Sequence, residues 1–355
     1  MKYFFLLLIF SLFFSCKSDI KKNKKPEILN ATIKNIFSIK DSLILKYPQT
    51  MYPARIYDIC FNSKTYYVLG INSKYPIVKF KENGDYIEPL SKVGQGPGEF
   101  SFIPEKMDLD RDKLAILLPR LSELYVFKED QFKQKKFLFY SSDSLAIKKR
   151  KGISRPRDIS WVGDKLLIFY SGGGSKYQFA VLDSNLKVMK RLIPLPSRNS
   201  ITGLLLSEYW AVQKNNDFLI THINYPPTIY QFNFINDEIK NLATLKNLEL
   251  KYFKWLSTDM TYEKVMKFPD RDKLKIFKKY SKLLWVIKKD DKIIGMYSTV
   301  NDKKDFYIFI LKNNKIILEQ KIPPYYIIPE GNELYMEKFS EKSDVVKLYK
   351  LKLKV

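Results

Sequence analysis

In the stretch Lys106-Met107-Asp108-Leu109-Asp110-Arg111-Asp112-Lys113-Leu114-Ala115-Ile116-Leu117, a polar turn lies between two segments of strand-forming residues. A tight hairpin needs turn residues between strands of period two. The same arrangement occurs six times, at Asn62-Ser63-Lys64, Arg111-Asp112-Lys113, Gly163-Asp164-Lys165, Asn215-Asn216-Asp217, Asp290-Asp291-Lys292 and Gly331-Asn332-Glu333. Successive turns of this class are 49, 52, 52, 75 and 41 residues apart. The spacing predicts six hairpins in a repeating chain.

A second class of turn alternates with the first. Its members are Asn83-Gly84, Glu129-Asp130, Ser184-Asn185, Asn236-Asp237 and Asn313-Asn314. Two hairpins in each unit of about 50 residues make four strands, which is the blade of a β-propeller. The sequence therefore predicts an all-β fold, a six-bladed β-propeller. Both series have their long step between units four and five, so we expect a short insertion there. Residues 258–282 have a helical apolar pattern interrupted at Pro269.

The two classes of turn also predict how the ring closes. The last unit has only three strands, because it ends with residues 345–355 as its third. Residues 33–47 precede the first unit and contain the β-prone run Ser42-Leu43-Ile44-Leu45. We expect this N-terminal strand to complete the last blade, because closing the ring removes exposed sheet edges.

The N-terminus is typical of a targeting segment. Lys2 precedes an apolar run at residues 3–14, which is too short to span a bilayer as a helix. Phe13-Phe14-Ser15-Cys16 resembles the lipobox of bacterial lipoproteins, with Phe13 where leucine is usual. The resemblance implies a signal peptide at residues 1–15 and lipidation of Cys16. We expect a flexible tether at 16–30 and the propeller at 31–355. The alternative is an ordinary signal peptide followed by a chance cysteine.

Composition limits the possible functions. The formal net charge is +24, and residues 17–25 contain five lysines that could lie against anionic head groups or simply be solvated. Nucleic acid is discounted as a partner, because the chain is expected to be exported and its lysines are spread along the sequence. Apart from Cys16 there is only Cys60, which excludes a disulfide framework in the mature chain. We expect Cys60 to be a small buried hydrophobe, and we predict no cofactor and no metal.

One loop carries a resemblance to a known family. Gly94-Gln95-Gly96-Pro97-Gly98-Glu99-Phe100, followed by Pro104 and Met107-Asp108-Leu109-Asp110, resembles the motif of the six-bladed propeller lipoproteins of Bacteroidetes, relatives of NHL-type and TolB-like propellers. The resemblance implies the fold and a place in the cell envelope, lipid-anchored at the outer membrane, on its periplasmic side or at the cell surface. It implies no reaction. Taken by itself the loop is a special turn, since it has neither the lysine of a P-loop nor the spacing of a dinucleotide-binding loop.

Catalytic motifs are scarce. His222 is the only histidine, which excludes a multi-histidine zinc site. We place it in the loop after the second strand of blade four and expect a surface histidine. The run Asp108-Leu109-Asp110-Arg111-Asp112 resembles the start of a calcium loop, but the required glycine is missing and Pro119 stands where the bidentate glutamate should be. We interpret it as a strand end and a turn.

Basic residues near the start of each unit suggest a ligand face. Arg55, Lys106 and Arg157 each lie just before or at the start of a first strand, so they would meet at one mouth of the channel. Together they predict a polar entrance for an anionic ligand, with His222 on the same face. The alternative is that they form ion pairs between blades with residues such as Glu99 and Glu105.

Two classes of function remain open. The first is a binding module that is anchored to the membrane and recognises an envelope protein or an anionic or glycan ligand. The second is a propeller enzyme that acts on a glycan or lactone-like substrate at the channel mouth. The enzyme would need Asp58, Asp108 and Asp158 to converge in one ring. We favour the binding module.

Overall fold

The computed structural model of the protein describes residues 31–48, 51, 56–70, 72, 74–138, 155–171, 177–194, 213–215, 218–224, 227–233, 238–245, 248, 250–251, 281–299, 305–322, 327–330, 333–339 and 345–354. These residues form six four-stranded antiparallel sheets. Each sheet is one blade, and its strands are named a to d from the channel outward. The predicted helical insertion and the predicted signal peptide, lipidation site and tether lie outside the described residues.

The first three blades follow one another along the chain. Blade 1 contains β2 (Ile56–Phe61), β3 (Thr65–Gly70), β4 (Ile77–Lys81) and β5 (Tyr86–Ser91). Blade 2 contains β6 (Lys106–Asp110), β7 (Lys113–Leu118), β8 (Glu123–Lys128) and β9 (Gln131–Phe137). Blade 3 contains β10 (Arg155–Val162), β11 (Lys165–Ser171), β12 (Tyr177–Leu182) and β13 (Val188–Pro194).

The last three blades continue the pattern. Blade 4 contains β14 (Gln213–Asn215), β15 (Phe218–Asn224), β16 (Pro227–Asn233) and β17 (Ile239–Thr244). Blade 5 contains β18 (Lys282–Lys289), β19 (Lys292–Thr299), β20 (Asp305–Lys312) and β21 (Lys315–Ile322). Blade 6 contains β22 (Ile327–Glu330), β23 (Glu333–Phe339), β24 (Val345–Leu353) and, as its strand d, β1 (Phe37–Lys46) from the N-terminal end. The predicted six-bladed fold is confirmed.

The turn residues explain why the hairpins form where the sequence predicts them. Ser63, Arg111, Gly163 and Asp290 in the a–b turns all have positive φ. In the c–d turns, positive φ occurs at Gly84, Glu129, Asp130, Asn313 and Asn314. Tight hairpin turns match the twist of the flanking strands through such backbone angles. Local turn chemistry therefore sets the register of each hairpin.

The closing strand lies where the sequence predicts it. β1 pairs antiparallel with β24, with Ser42 opposite Tyr349 and Leu45 opposite Val346. The strand begins at Phe37 rather than earlier, because residues Ala31–Ile36 form a short helix, α1. Blade 1 holds the far end of this strand, since the Lys46 N–H donates to the Gly84 carbonyl over 3.1 Å. Gly84 has φ +84°, and a Cβ there would meet the Ile44 carbonyl oxygen, so only glycine fits.

The hydrophobic core lies between the blades. One cluster joins blades 5 and 6 around Trp285 and Met336, and it includes Ile36 and Phe37 at the start of the closing strand. Another joins blades 6 and 1 around Leu45 and Ile328. Further clusters lie between blades 1 and 2, 2 and 3, and 4 and 5. Cys60 is fully buried in the first of these, as predicted.

The connections divide the propeller into two faces. The d–a and b–c connections lie on one side, which we call the loop face, and the a–b and c–d turns lie on the other, which we call the turn face. Each strand a runs from the loop face to the turn face. Within the described part of the chain, no helix is long and apolar enough to cross a bilayer.

Candidate functional site

The charged residues of the inner strands occupy one register position. In each of blades 1 to 3, one charged residue of strand a lies opposite the fifth residue of strand b. The pairs are Asp58 with Leu69, Lys106 with Leu117, and Asp158 with Phe169. We call the three charged residues the channel row. Their signs alternate from blade 1 to blade 3. The row lies on the innermost strands, toward the loop-face end of each.

β-bulges lie just before the two acids of the row, whereas the pairing from each acid to its a–b turn is regular. The pairing of β2 with β3 shifts between Ile56 and Asp58, and that of β10 with β11 shifts between Pro156 and Asp158. An extra residue in a strand changes which side chain faces a given side. The pairing of β6 with β7 has no such shift, and Lys106 takes the equivalent position in blade 2.

This register bears on the enzyme alternative, which would need the three acids in one ring. Asp108 lies opposite Ala115, the third residue of its strand b, and so is one layer nearer the turn face than Asp58 and Asp158. The three acids therefore do not share one layer. In the part of the chain that the structure describes, no group of His, Cys, Asp and Glu side chains could hold a metal ion.

The acids bond to the backbone of the neighbouring blade. Asp58 Oδ2 accepts a 3.1 Å hydrogen bond from the Met107 N–H of blade 2, and Asp108 Oδ2 accepts one from the Trp161 N–H of blade 3. Glu337 Oε1 of blade 6 accepts a 3.1 Å bond from the Ile56 N–H of blade 1. Strand a has one edge without a ladder partner, and its buried N–H groups need acceptors. These carboxylates supply them.

Asp158 has a strongly perturbed pKa. Burial raises its pKa to about 7, with Lys106 opposing the shift and Asp58 adding to it. The Lys106 ammonium lies 3.8 Å from Asp158 Oδ2, and its side chain remains 33% exposed. Burial also raises the pKa of Asp58, against the opposing charge of Lys106. A carboxyl group that titrates near neutral pH therefore lies beside a lysine that still reaches solvent.

The other predicted ligand-face residues are placed as follows. Arg157 occupies the bulge of β10 and is half-buried. Arg55 lies outside the described residues. His222 was predicted in a loop, and this is corrected: it lies within β15, opposite Ile229. The strand continues past Ile220 because β-branched Thr221 and Ile223 favour extended backbone.

The glycine-rich loop at 94–100 folds around its own glutamate. Glu99 Oε2 accepts a 2.8 Å bond from the Gly96 N–H, and Lys92 lies 3.0 Å from Oε1. These contacts hold the pKa of Glu99 below its usual range. A Cβ on Gly94 would lie 2.0 Å from the Glu99 carboxylate. The loop ends in Phe100, which is fully buried between blades 1 and 2. This geometry explains the glycines by conformation and close packing.

A patch of exposed aromatic, aliphatic and basic side chains follows that loop on the loop face of blade 2. We call it the loop-face patch, and it consists of Phe102, Arg120, Leu121, Lys135 and Phe137. Phe137 is 56% exposed, and Phe102 and Leu121 are 37% and 36% exposed. The Arg120 guanidinium lies 5.3 Å from the Phe102 ring centroid, and the Lys135 ammonium lies 5.2 Å from that of Phe137.

Hydrogen bonds beneath the patch fix its geometry. The Leu138 N–H donates to the Ser122 carbonyl over 2.7 Å, which holds the end of strand d against the b–c loop. Lys135 lies 2.8 Å from buried Glu123, which also accepts hydrogen bonds from Ser101 and Tyr125. The patch is therefore held by a connected polar network.

Sequence reasoning missed this patch. Leu121 gives the clearest available signal, because it is an apolar residue in the turn Pro119-Arg120-Leu121-Ser122. Phe102 and Phe137 give weaker signals, since aromatic residues near strand ends are more often buried.

Comparison with known proteins agrees with the geometry. Six four-stranded sheets around a channel define the class as a six-bladed β-propeller. A family model described as "6-bladed beta-propeller" matches residues 20–336, so the chain belongs to that family. The finer resemblance to lipoproteins and to NHL-type and TolB-like propellers stays a prediction.

One solved structure shows the same fold. A putative exported protein from Bacteroides fragilis matches with a TM-score of 0.64 and 14% identity, over 93% of this chain and 98% of that one. Hydrazine synthase from Kuenenia stuttgartiensis matches with a TM-score of 0.46 and 10% identity, over 82% of this chain and 76% of that one. No curated protein sequence matches the chain.

Proposed function

We propose that the protein is a lipid-anchored envelope protein whose propeller is a binding module, with the loop-face patch as its main contact surface. The observation that carries this proposal is the exposure of Phe102, Leu121 and Phe137 beside Arg120 and Lys135. Aromatic residues and arginine are enriched at binding surfaces because they bury much area at a low entropic cost.

Export and anchoring are part of the proposal. The similar structure from Bacteroides fragilis is described as a putative exported protein, and the N-terminal sequence resembles a lipobox ending at Cys16. A lipid anchor at Cys16 would hold the propeller at the membrane, where its partner would be an envelope protein or an anionic or glycan ligand. A Cys16→Ser variant is expected to leave the membrane fraction, as measured by fractionation and immunoblotting.

The patch can be tested by quantitative capture from native membranes. The variant Phe102→Ser/Leu121→Ser/Phe137→Ser removes the apolar part of the patch. The matched control, Ile87→Ser/Ile239→Ser/Ile317→Ser, removes three similarly exposed apolar side chains elsewhere. We expect a partner retained by the wild-type and control proteins to be lost from the patch variant. Equal recovery by both variants would contradict the assignment.

The enzyme remains the second candidate function because of one observation. Asp158 has its pKa raised by burial to about 7 beside Lys106, and general acids work best when their pKa lies near the operating pH. Turnover of a glycan or lactone that is lost in Asp158→Asn, while partner capture is unchanged, would support the enzyme. The predicted anionic entrance at Arg55, Lys106 and Arg157 includes Lys106 and is tested by the same substrate screen.

A further inference from the structure

We infer that the turn face of blades 5 and 6 is a membrane-facing surface that contacts anionic lipid head groups. This inference rests on the proposed anchor at Cys16 and adds an orientation to it. The surface is defined by the point at which the N-terminal segment joins the propeller and by the exposed lysines around that point.

Topology places the N-terminal junction on the turn face. β1 begins with Phe37 opposite Leu353 and ends with Lys46 opposite Val345, so it runs from the turn face to the loop face. The Lys354 N–H donates to the Ile36 carbonyl over 2.9 Å, and the Lys354 ammonium donates to the Lys34 carbonyl over 2.6 Å. Helix α1 is therefore fixed beside the C-terminal end of β24.

The length of the preceding segment limits where the propeller can lie. Residues 17–30 separate Cys16 from α1, and a fully extended chain of that length reaches roughly 50 Å. Any less extended conformation brings the turn face nearer to the bilayer.

Exposed lysines lie at this junction and in the neighbouring c–d turn of blade 5. We call Lys34, Lys315, Lys352 and Lys354 the junction lysines, and all four are exposed. Lys34, Lys352 and Lys354 lie at the junction itself, and Lys315 begins β21 after the c–d turn of blade 5. Two acids at this end are paired with other lysines, since Asp291 lies 2.9 Å from Lys312 and Glu333 lies 3.1 Å from Lys350.

The charge distribution fits an anionic bilayer. In the sequence, five lysines of residues 17–25 lie between Cys16 and α1. A basic cluster strengthens the attachment of a lipidated protein to anionic head groups, and the effect falls with salt. The same arrangement would direct the loop-face patch away from the membrane, toward a partner.

Energy transfer to labelled lipids can measure this orientation. The full lipidated chain is reconstituted into phosphatidylcholine vesicles with or without phosphatidylglycerol, and the acceptor dye is on the lipid head groups. The donor is attached at Asn35→Cys on the turn face or at Arg120→Cys on the loop face. Cys60 is fully buried and is not expected to take the label. We expect much stronger transfer from position 35, with a dependence on phosphatidylglycerol that salt reduces. Equal transfer from both positions, or stronger transfer from position 120, would overturn the inference.

Charge reversal tests the lysines themselves. In the Asn35→Cys background, we reverse the charge of the four junction lysines with Lys34→Glu/Lys315→Glu/Lys352→Glu/Lys354→Glu. This variant should abolish the dependence of energy transfer on phosphatidylglycerol. The matched control, Lys74→Glu/Lys133→Glu/Arg191→Glu/Lys240→Glu, makes the same change in charge at exposed positions elsewhere and should keep it. An unchanged response in the first variant would contradict the proposed lipid contact.

Failure of the anchor and failure of the surface give different results. Mass spectrometry of the mature protein reports whether Cys16 carries lipid. An unmodified Cys16 overturns the anchor. A lipidated Cys16 with equal transfer from both labels leaves the anchor in place and overturns the membrane-facing surface.

Discussion

The same position of the inner strand is charged in blades 1 to 3 and apolar in blade 5. Asp58, Lys106 and Asp158 occupy it in the first three blades, whereas Trp285 occupies it in blade 5, opposite Met296. Trp285 is 5% exposed and packs in the cluster between blades 5 and 6. The ring therefore joins its blades in two ways, by carboxylates that bond to backbone and by apolar packing.

The two kinds of contact should respond to different perturbations. A buried carboxylate that accepts N–H bonds contributes through hydrogen bonding, and its contribution changes with protonation. A buried tryptophan contributes through the area it removes from water and is insensitive to pH. Mutations at this one position can therefore separate the two.

The largest effect is expected at the apolar contact. Trp285→Ala leaves a cavity between blades 5 and 6 and should lower the free energy of unfolding by about 3–5 kcal/mol. Trp285→Phe is the control, because it keeps an aromatic ring and removes an indole N–H that has no hydrogen-bond partner within the described part of the chain. Trp285→Phe should lower the free energy of unfolding far less than Trp285→Ala does. Urea unfolding monitored by circular dichroism measures both, and similar losses would argue against packing as the cause.

The hairpins were predictable from sequence, but the channel row was not. Turns such as Arg111-Asp112 carry their own backbone preference, so local sequence is enough to place them. A count from the start of strand a is offset by the bulges just before Asp58 and Asp158, which add a residue without disturbing the alternation of apolar side chains. Sequence reasoning therefore grouped Asp108 with these acids, although Lys106 is their equivalent. The loop-face patch depends on how loops from distant parts of blade 2 meet, which no local pattern encodes.

The second effect is a pH dependence from Asp158. Its pKa is 3.8 in an ordinary environment and about 7 in the fold. Between these values the folded state binds more protons than the unfolded state, so stability falls as pH rises from about 4 to about 7. The free energy of unfolding falls by at most about 4 kcal/mol, since each unit of difference in pKa corresponds to about 1.4 kcal/mol.

Asp158→Asn tests this dependence directly. The amide keeps the shape and an acceptor for the Ile159 N–H, which lies 3.0 Å from Asp158 Oδ1, but it does not titrate. We expect the variant to lose less stability than the wild type over the same pH range, as measured by urea unfolding at several pH values. Parallel profiles would show that Asp158 titrates normally.

A smaller effect is expected from the hydrogen bonds of Asp58. Asp58→Ala leaves the buried N–H groups of Met107 and Ile59 without their carboxylate acceptor and should cost about 1–3 kcal/mol. Asp112→Ala is the matched control, because Asp112 is a half-exposed turn acid 3.9 Å from Lys128 and should cost less than about 0.5 kcal/mol. Equal losses in chemical denaturation would remove the bond between blades as the explanation.

The smallest change in stability is expected from Lys106. Its ion pair with Asp158 is 3.8 Å long and partly exposed, so Lys106→Met should change stability at neutral pH by less than about 1 kcal/mol. Lys106 opposes the rise in the pKa of both Asp158 and Asp58, so its removal should move the pH-dependent loss of stability to higher pH. Lys128→Met, which removes a distant surface pair, should leave that profile in place. If stability depends on pH in the same way in Lys106→Met as in the wild type, the charge of Lys106 does not affect the pKa values of Asp58 and Asp158. That result would strengthen the predicted role of Lys106, with Arg55 and Arg157, in binding an anion at the channel mouth.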